Sequence, residues 1–599
     1  MARLLLAAGF FTAAAAATCW DGAGGFAQDK WPYCTQLTSD ILMYYGPDST
    51  NQFMKLGLFV ENHAGWSALA LGGNGGMKGA QQFVVRKEAG QFVAEERYST
   101  DYVTPELQPS QEVTLIFASE ESGNIAWGLL VPMKACSGGN RYPIEAVSKF
   151  MHWALGAEHA FLHHSRRGQF HANLVSGPPT TEDMSSYSSA DILMPDVSVV
   201  MGAGGNDVKN PYICGIFDLE QLLPAGKDIS SKFHVAKFSA LVDQDSAQYV
   251  HHMILYECEP WGLQNAGYTH LSIVPECESM PPSCNSMKWP WAVGSEPLVL
   301  PTNVGMPFGS GSRWYALQMH YYNPSLHAGV RDSSGVRLTF APALRTFDAA
   351  VFRFNGGTDS EMRADIPAGQ QEYVLKEAVV PSQCTDSWTA DELNVVGVVY
   401  HAHLVGKSLN IDVVRADTLV GTMRLEHLYD FNHQSLEPPS VKKIRRGDDL
   451  VLRCAYDTSG KTTPTSFGDF TQTEMCWSAF IYYPAQHMSQ AVIQGSAGDR
   501  RLTWCNNYGT VTSYVPRPMT PRCEWKGFLY SEAAYQVLSD MGVNTTGWTT
   551  RTSTTTTSTA TSGTGDGGDG GDTGMSSDAS PLPLLACPAL LALGLLSYR

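Results

Sequence analysis

Charge is scarce in this chain of 599 residues: only 16% are Asp, Glu, Lys or Arg. Positive charge is scarcer still, with 40 Lys and Arg against 58 Asp and Glu, for a formal net charge of −18. Nucleic acid or an anionic membrane surface is therefore excluded as the main partner, because both need a basic face. Sustained helical periodicity is also missing between Cys34 and Cys523, which argues against a helical bundle. What the chain does have is 43% hydrophobic residues with 56 Gly and 33 Pro, a composition suited to turn-rich β structure. Its length is too great for one core, and about three domains is the natural expectation.

Short Val/Ile/Phe/Tyr-rich runs recur between Gly, Pro, Asn and Asp, at 53–60, 113–117, 249–256, 314–322, 395–404 and 480–483. This pattern predicts an all-β protein built of antiparallel sandwiches. The acidic, Ser- and Tyr-rich stretch 180–190 reads as a linker, and Gly, Asp and Pro collect at a second joint around 356–369.

The two ends read differently from the middle. Residues 1–17 have Arg3, an apolar run from Leu4 and the small residues Ala15, Ala16 and Ala17, the pattern of a cleaved signal peptide. Residues 545–579 are dominated by Thr, Ser, Gly and Asp, which cannot bury a core and read as a stalk. Asn544-Thr545-Thr546 is a glycosylation sequon. Residues 580–599 hold an apolar run of 16 residues from Pro581 to Leu596, short for a span. A GPI signal is the first reading and a single transmembrane anchor the alternative. The expected location is thus the secretory pathway, in a vesicle lumen, outside the cell or anchored at its surface, with the membrane met only through the C-terminus. Secretion permits disulfides, and of 13 cysteines only Cys587 falls in the tail.

Four segments carry chemistry: Val250-His251-His252-Met253, Gln318-Met319-His320-Tyr321-Tyr322-Asn323-Pro324, Tyr400-His401-Ala402-His403-Leu404 and Thr473-Glu474-Met475-Cys476-Trp477. On a strand, residues i and i+2 project from one face about 6.6 Å apart, so His401 and His403 can lean onto one ion. An isolated pair of this kind is more often a solvent-facing one, but here Val398, Val399, Leu404 and Val405 flank it. His251 and His252 are adjacent and point to opposite faces of a regular strand. They can share a metal only through a bulge or through different ring nitrogens. One buried and one exposed histidine is the alternative, and His320 alone could be a hydrogen-bonded core residue. Met475 would be core filler on its own; beside two histidines its thioether favours Cu(I) over Zn(II), and so oxidation over hydrolysis.

In order and spacing, these four segments resemble the copper type II, ascorbate-dependent monooxygenases, the family that includes dopamine β-hydroxylase. Arg331 to Leu338 and Arg453 to Thr458 extend the likeness, which covers roughly residues 191–505. The resemblance implies two jelly-roll-like copper domains, at 190–355 and 366–525. It implies an electron-transfer copper on His251, His252 and His320. A second copper, on His401, His403 and Met475, would bind O2 and attack a substrate C–H bond, with ascorbate as reductant. It also implies a solvent-filled cleft between the two centres. By position it pairs Cys258 with Cys284 and Cys454 with Cys476, and suggests Cys214 with Cys277, Cys384 with Cys505 and Cys136 with Cys523. Residues 36–175 resemble a DOMON domain through Gly65 to Ala68, Gly75 to Ala80, Trp153 to Gly156 and Arg166 to Gly168. Some such domains bind haem, for which Met77 with His163 or His164 is the candidate pair.

The chain departs from the family where substrate is met. An Arg two residues before the HxH and a Tyr four residues after the Met serve the peptide-amidating branch; here they are Val399 and Ala479. The catecholamine branch shares the Tyr, so a small amine or aromatic of neither group is the expected substrate. The competing functions are a non-catalytic copper or haem protein for electron transfer and a zinc hydrolase on the three histidines, the latter opposed by Met475.

Overall fold

The computed structural model describes residues 19–543 apart from 21–22, 73–75, 136–139, 179–181, 201–208, 282, 357–364, 376, 427, 469, 487–489, 497–498 and 506–531. The presumed leader, Asn544, the stalk and the hydrophobic tail lie outside the described residues. So do Cys136 and Cys523.

Three mainly antiparallel sandwiches follow one another along the chain. The first packs a five-stranded sheet against a six-stranded one. Its strand Phe53–Val60 is buried at every position, which a strand facing water on one side could not be. One face meets the opposing sheet; the other is covered by Phe26, Trp31 and the helix Glu532–Asp540, which returns from the far end of the chain. Gly57 and Gly128 pair across neighbouring strands. A Cβ at Gly57 would meet Phe26 at 2.4 Å and one at Gly128 would meet Trp31 at 2.8 Å, so the two glycines open the slot those rings fill. The sandwich starts before residue 36, with the disulfide Cys19–Cys34 and the strand Tyr33–Thr38.

The second sandwich begins with the strand Ser189–Leu193 and carries a five-stranded sheet in which Val250–Cys258 lies between Trp314–Tyr321 and Ser286–Ala292. The third holds a six-stranded sheet in which Cys476–Tyr483 lies between Glu392–His401 and Ala350–Gly356. The joint between them therefore precedes residue 350. The Gly-rich stretch expected as the joint, 356–369, thus follows the first strand of the third sandwich, and its residues 357–364 lie outside the described residues. Val399, Ala479 and Ile481, on the outer face of the third sandwich, are continuous with the core of the second. The two domains meet through packed side chains.

Candidate metal centre

The adjacent pair His251-His252 is accommodated by an irregularity in the sheet. The register between Val250–Cys258 and Trp314–Tyr321 shifts between Val250 and His252, so that Val250 opposes Tyr321, His252 opposes His320, and His251 is the extra residue of a β-bulge. The bulge lets both rings face the same side. His251 Nδ1 stands 3.2 Å from His252 Nδ1, which stands 3.3 Å from His320 Nδ1. Two imidazole nitrogens about 2.0 Å from one ion lie roughly 3.3 Å apart at a tetrahedral angle. Tyr212, opposite His320 on the neighbouring strand, stacks on that ring at 4.1 Å and an interplanar angle of 7°.

His401 is the last residue of its strand and His403 lies beyond it, in the turn leading to Gly406–Arg415. The same-face argument for a regular strand therefore does not apply, and the pair is held by side chains instead. His401 Nδ1 is 2.6 Å from Gln434 Oε1 and His403 Nδ1 is 3.0 Å from the Thr473 carbonyl. Both rings thus donate through Nδ1 and leave Nε2 for a ligand; the buried His403 Nε2 has no hydrogen-bond partner. The Tyr429 hydroxyl grips the intervening peptide, accepting from Ala402 N at 3.0 Å and donating to Ala402 O at 2.5 Å. Buried Glu474 accepts from the amides of His403, Val405 and Met475, tying the turn to the segment that carries Met475. Met475 itself precedes the strand Cys476–Tyr483, next to the disulfide Cys454–Cys476.

The two sets are in contact. The His252 and His401 rings are 5.8 Å apart, and Phe431 stacks on His251 at 4.4 Å while lying 6.3 Å from His403. The two sets thus touch, where the resemblance implied a solvent-filled cleft between them, and the apolar faces of the two domains pack together beside the histidines. Burial keeps all five imidazoles neutral: the pKa values of His251 and His403 fall to about 3, with neighbouring His401 adding to the effect, and His252, His320 and His401 are also lowered. Neutral rings are the form that ligates a metal. Burial raises the Glu474 carboxyl to about 7, against the lowering effect of its three amide donors.

Beside the histidines lies a cavity of about 360 Å³ lined by His252, His401, Met475, Trp291, Trp477 and Tyr212. Val399 contributes to its wall, and Ala479 sits in register between Val399 and Arg353 on adjacent strands. Arg353 and Glu278 also line it.

Gln434, Tyr429 and Phe431 carried no recognisable sequence signal, whereas Thr473 and Glu474 adjoin Met475 in its segment. The structure does not bring the haem pair together. Met77 adjoins the Gly72 end of the strand Ser67–Gly72, whereas His163 lies in the connection beyond its Ser67 end, about 17 Å away along the strand. His164 shares that connection, with its ring 4.2 Å from His163. Cys214 is bonded to Cys277 and Cys258 to Cys284. Cys384 is also disulfide-bonded; the side chain of Cys505 lies outside the described residues.

Paired β-sandwiches with convergent imidazoles and a thioether define a two-domain metalloprotein suited to redox chemistry. Residues 197–328 match the N-terminal domain, and residues 347–504 the C-terminal domain, of the copper type II ascorbate-dependent monooxygenases. The chain belongs to that family and is an ascorbate-dependent copper monooxygenase. A DBH-like monooxygenase protein 1 from Gallus gallus is 27% identical over 442 residues, covering 71% of this chain and 69% of that protein. The tyramine beta-hydroxylase of Caenorhabditis briggsae is 27% identical over 326 residues, 53% of each. The dopamine beta-hydroxylase of Bos taurus is 27% identical over 286 residues, 46% of this chain and 44% of that protein.

Proposed function

We propose that His251, His252 and His320 hold one copper, that His401, His403 and Met475 hold a second, and that the enzyme hydroxylates a C–H bond of a small organic molecule in the adjoining cavity. The observation that carries this reading is a single cavity touching His252, His401 and Met475, with the His252 Nδ1 at metal-sharing separations from the Nδ1 atoms of both His251 and His320. Bound at these ligands, copper would supply the one-electron chemistry that, with ascorbate and O2, puts one oxygen atom into the substrate and releases the other as water.

The chain's own residues do the rest. Gln434 and the Thr473 carbonyl orient the His401 and His403 rings, fixing which nitrogen each presents. Glu474 and Tyr429 hold the turn that carries them. Trp291, Trp477 and Tyr212 offer an apolar, aromatic wall, and Val399 and Ala479 leave no carboxylate anchor at the peptide-amidating positions. A small amine or aromatic is the substrate class these walls favour. The first sandwich is proposed as a DOMON-like domain. The disulfides support folding in the secretory pathway, where thiols oxidise.

Oxygen uptake by the purified protein with copper and ascorbate tests the proposal. Uptake coupled to a hydroxylated product, and lost in Met475→Ala, supports it. Two coppers bound with no coupled product in a substrate screen would leave electron transfer as the function. Tight binding of zinc alone would end the copper reading.

A further inference from the structure

Among the described residues, the first sandwich supplies none to either histidine set, yet it grips the two segments that hold them. One segment is 428–437 of the third sandwich. Its Phe431 stacks on His251 and its Gln434 accepts from His401, while Gln434 Nε2 donates to the Phe431 carbonyl at 2.6 Å. Glu437 then pairs with Val398, three residues before His401, through two backbone hydrogen bonds of 2.7 and 2.9 Å. The other segment is the turn that follows Ser286–Ala292 in the second sandwich. Val293 N donates to the His251 carbonyl at 3.2 Å, and Ser295 Oγ accepts from Leu436 N at 3.4 Å.

His171 stands where these segments converge. It lies on Arg166–Ala172, an edge strand of the first sandwich. Its Nε2 is 2.9 Å from Glu437 Oε1 of the third sandwich, and its Nδ1 is 3.1 Å from Glu296 Oε1 of the second. The contact with Glu437 is a hydrogen bond, whereas that with Glu296 is an ion pair out of hydrogen-bond alignment. One side chain thus joins three domains. A second grip falls on the same segment, where the Tyr102 hydroxyl donates to Asp430 and lies 3.3 Å from His433 Nδ1.

We infer that the first sandwich is a clamp that sets the separation of the two histidine sets, with His171 and Tyr102 as its positioning residues. The inference rests on the copper reading of those sets. Two domains joined by a packed apolar face can slide or open; a side chain bound to both sides of the junction opposes that motion. Because the same segments fix Phe431, Gln434 and the His251 carbonyl, opening would alter both sets at once.

The test uses the full-length protein loaded with copper, read by copper content, by dipolar coupling between the two Cu(II) ions in electron paramagnetic resonance, and by ascorbate-supported turnover. His171→Ala is expected to keep two coppers per chain, lose the coupling and lower kcat roughly tenfold, within the range for residues that orient ligands. Tyr102→Phe, an exposed change with little risk to folding, should act in the same direction more weakly. His171→Lys keeps a cation between the carboxylates and should restore most of the coupling. Parent-level coupling and turnover in both His171→Ala and Tyr102→Phe would overturn the clamp. Should the parent bind no copper, the metal reading fails. Hydrogen exchange of residues 428–437 in the metal-free protein then decides the clamp: faster exchange in His171→Ala supports it and unchanged exchange rejects it. If His171→Ala does not fold, Tyr102→Phe and Glu296→Gln carry the same comparison.

Discussion

Two histidine sets lie in ring contact, and the chain builds them by opposite means. His251, His252 and His320 all sit on strands inside one sheet, where a single bulge turns two adjacent residues to one side. His401, His403 and Met475 sit at strand ends and in a turn, where Gln434, Tyr429, Glu474 and the Thr473 carbonyl do the work of the missing ladder. A site built into a sheet inherits its rigidity from backbone pairing. A site built on loops depends on side chains, each of which can be removed singly. The second set should therefore be the more easily disturbed by changes outside its ligands.

Deleting a ligand tests whether the sets are separable at all. His320→Ala and Met475→Ala should each lower product formation by more than about a hundredfold, beyond the range for outer residues. Each should cost one copper and leave the other in place, read by metal analysis and by the spectrum of the remaining ion. Loss of both coppers from either variant would break the comparison and make the two sets one unit.

The next effect is smaller and belongs to one set only. Glu474→Ala removes the acceptor for three amides around His403 and Met475. Copper affinity at the second set should fall by about 10- to 100-fold, with the first set unchanged in a competition titration. An equal loss at both sets would show that the brace serves the interface and not the loop.

The second set could be proposed from the sequence by its apolar flank and the softness of Met475, but its geometry could not, because His403 lies beyond the strand that ends at His401 and is held by side chains instead. The His251-His252 pair is harder to read, because a bulge is a property of the pairing between two strands and leaves no mark in either alone. Gln434, Tyr429 and His171 are silent for a related reason: each reaches its partner from 27 or more positions away in the chain, without a local motif. All-β architecture was visible in the short apolar runs. The joint near 350 was not, since the strand Ala350–Gly356 looks like any other until its partner Cys476–Tyr483 is known. The Met77 and His163 pairing failed likewise, because residue type says nothing about which end of a strand a loop occupies.

The junction between the two sets can be probed by pH in the metal-free protein. Burial opposes the charge on His171, but Glu437 and Glu296, which face it, raise its pKa to about 10, and its charge in turn helps to lower His152. The unfolded value is near 6.5. Between those limits the folded chain binds the extra proton, so the contribution is full below about pH 6.5 and declines as pH rises towards about 10. Thermal or denaturant unfolding should show that decline, on the order of a few kcal/mol, and His171→Ala should flatten it. An unchanged slope in the variant would move the pH dependence elsewhere.

The mildest change sharpens the comparison most finely. Tyr429→Phe keeps the ring in the core and removes only the hydroxyl that serves both sides of the Ala402 peptide. A buried amide and a buried carbonyl then lack a partner, at a cost of about 1–3 kcal/mol in stability. Because Ala402 separates the two histidines, part of that cost should appear as a severalfold weaker second copper, with the first copper untouched. The first set has its backbone paired through the strand ladder around the bulge, so no single hydroxyl grips a peptide between its ligands in this way. Equal weakening of both coppers by Tyr429→Phe would mean that the loop transmits its strain through Phe431 to His251, and that the sheet does not insulate the first set from its neighbour.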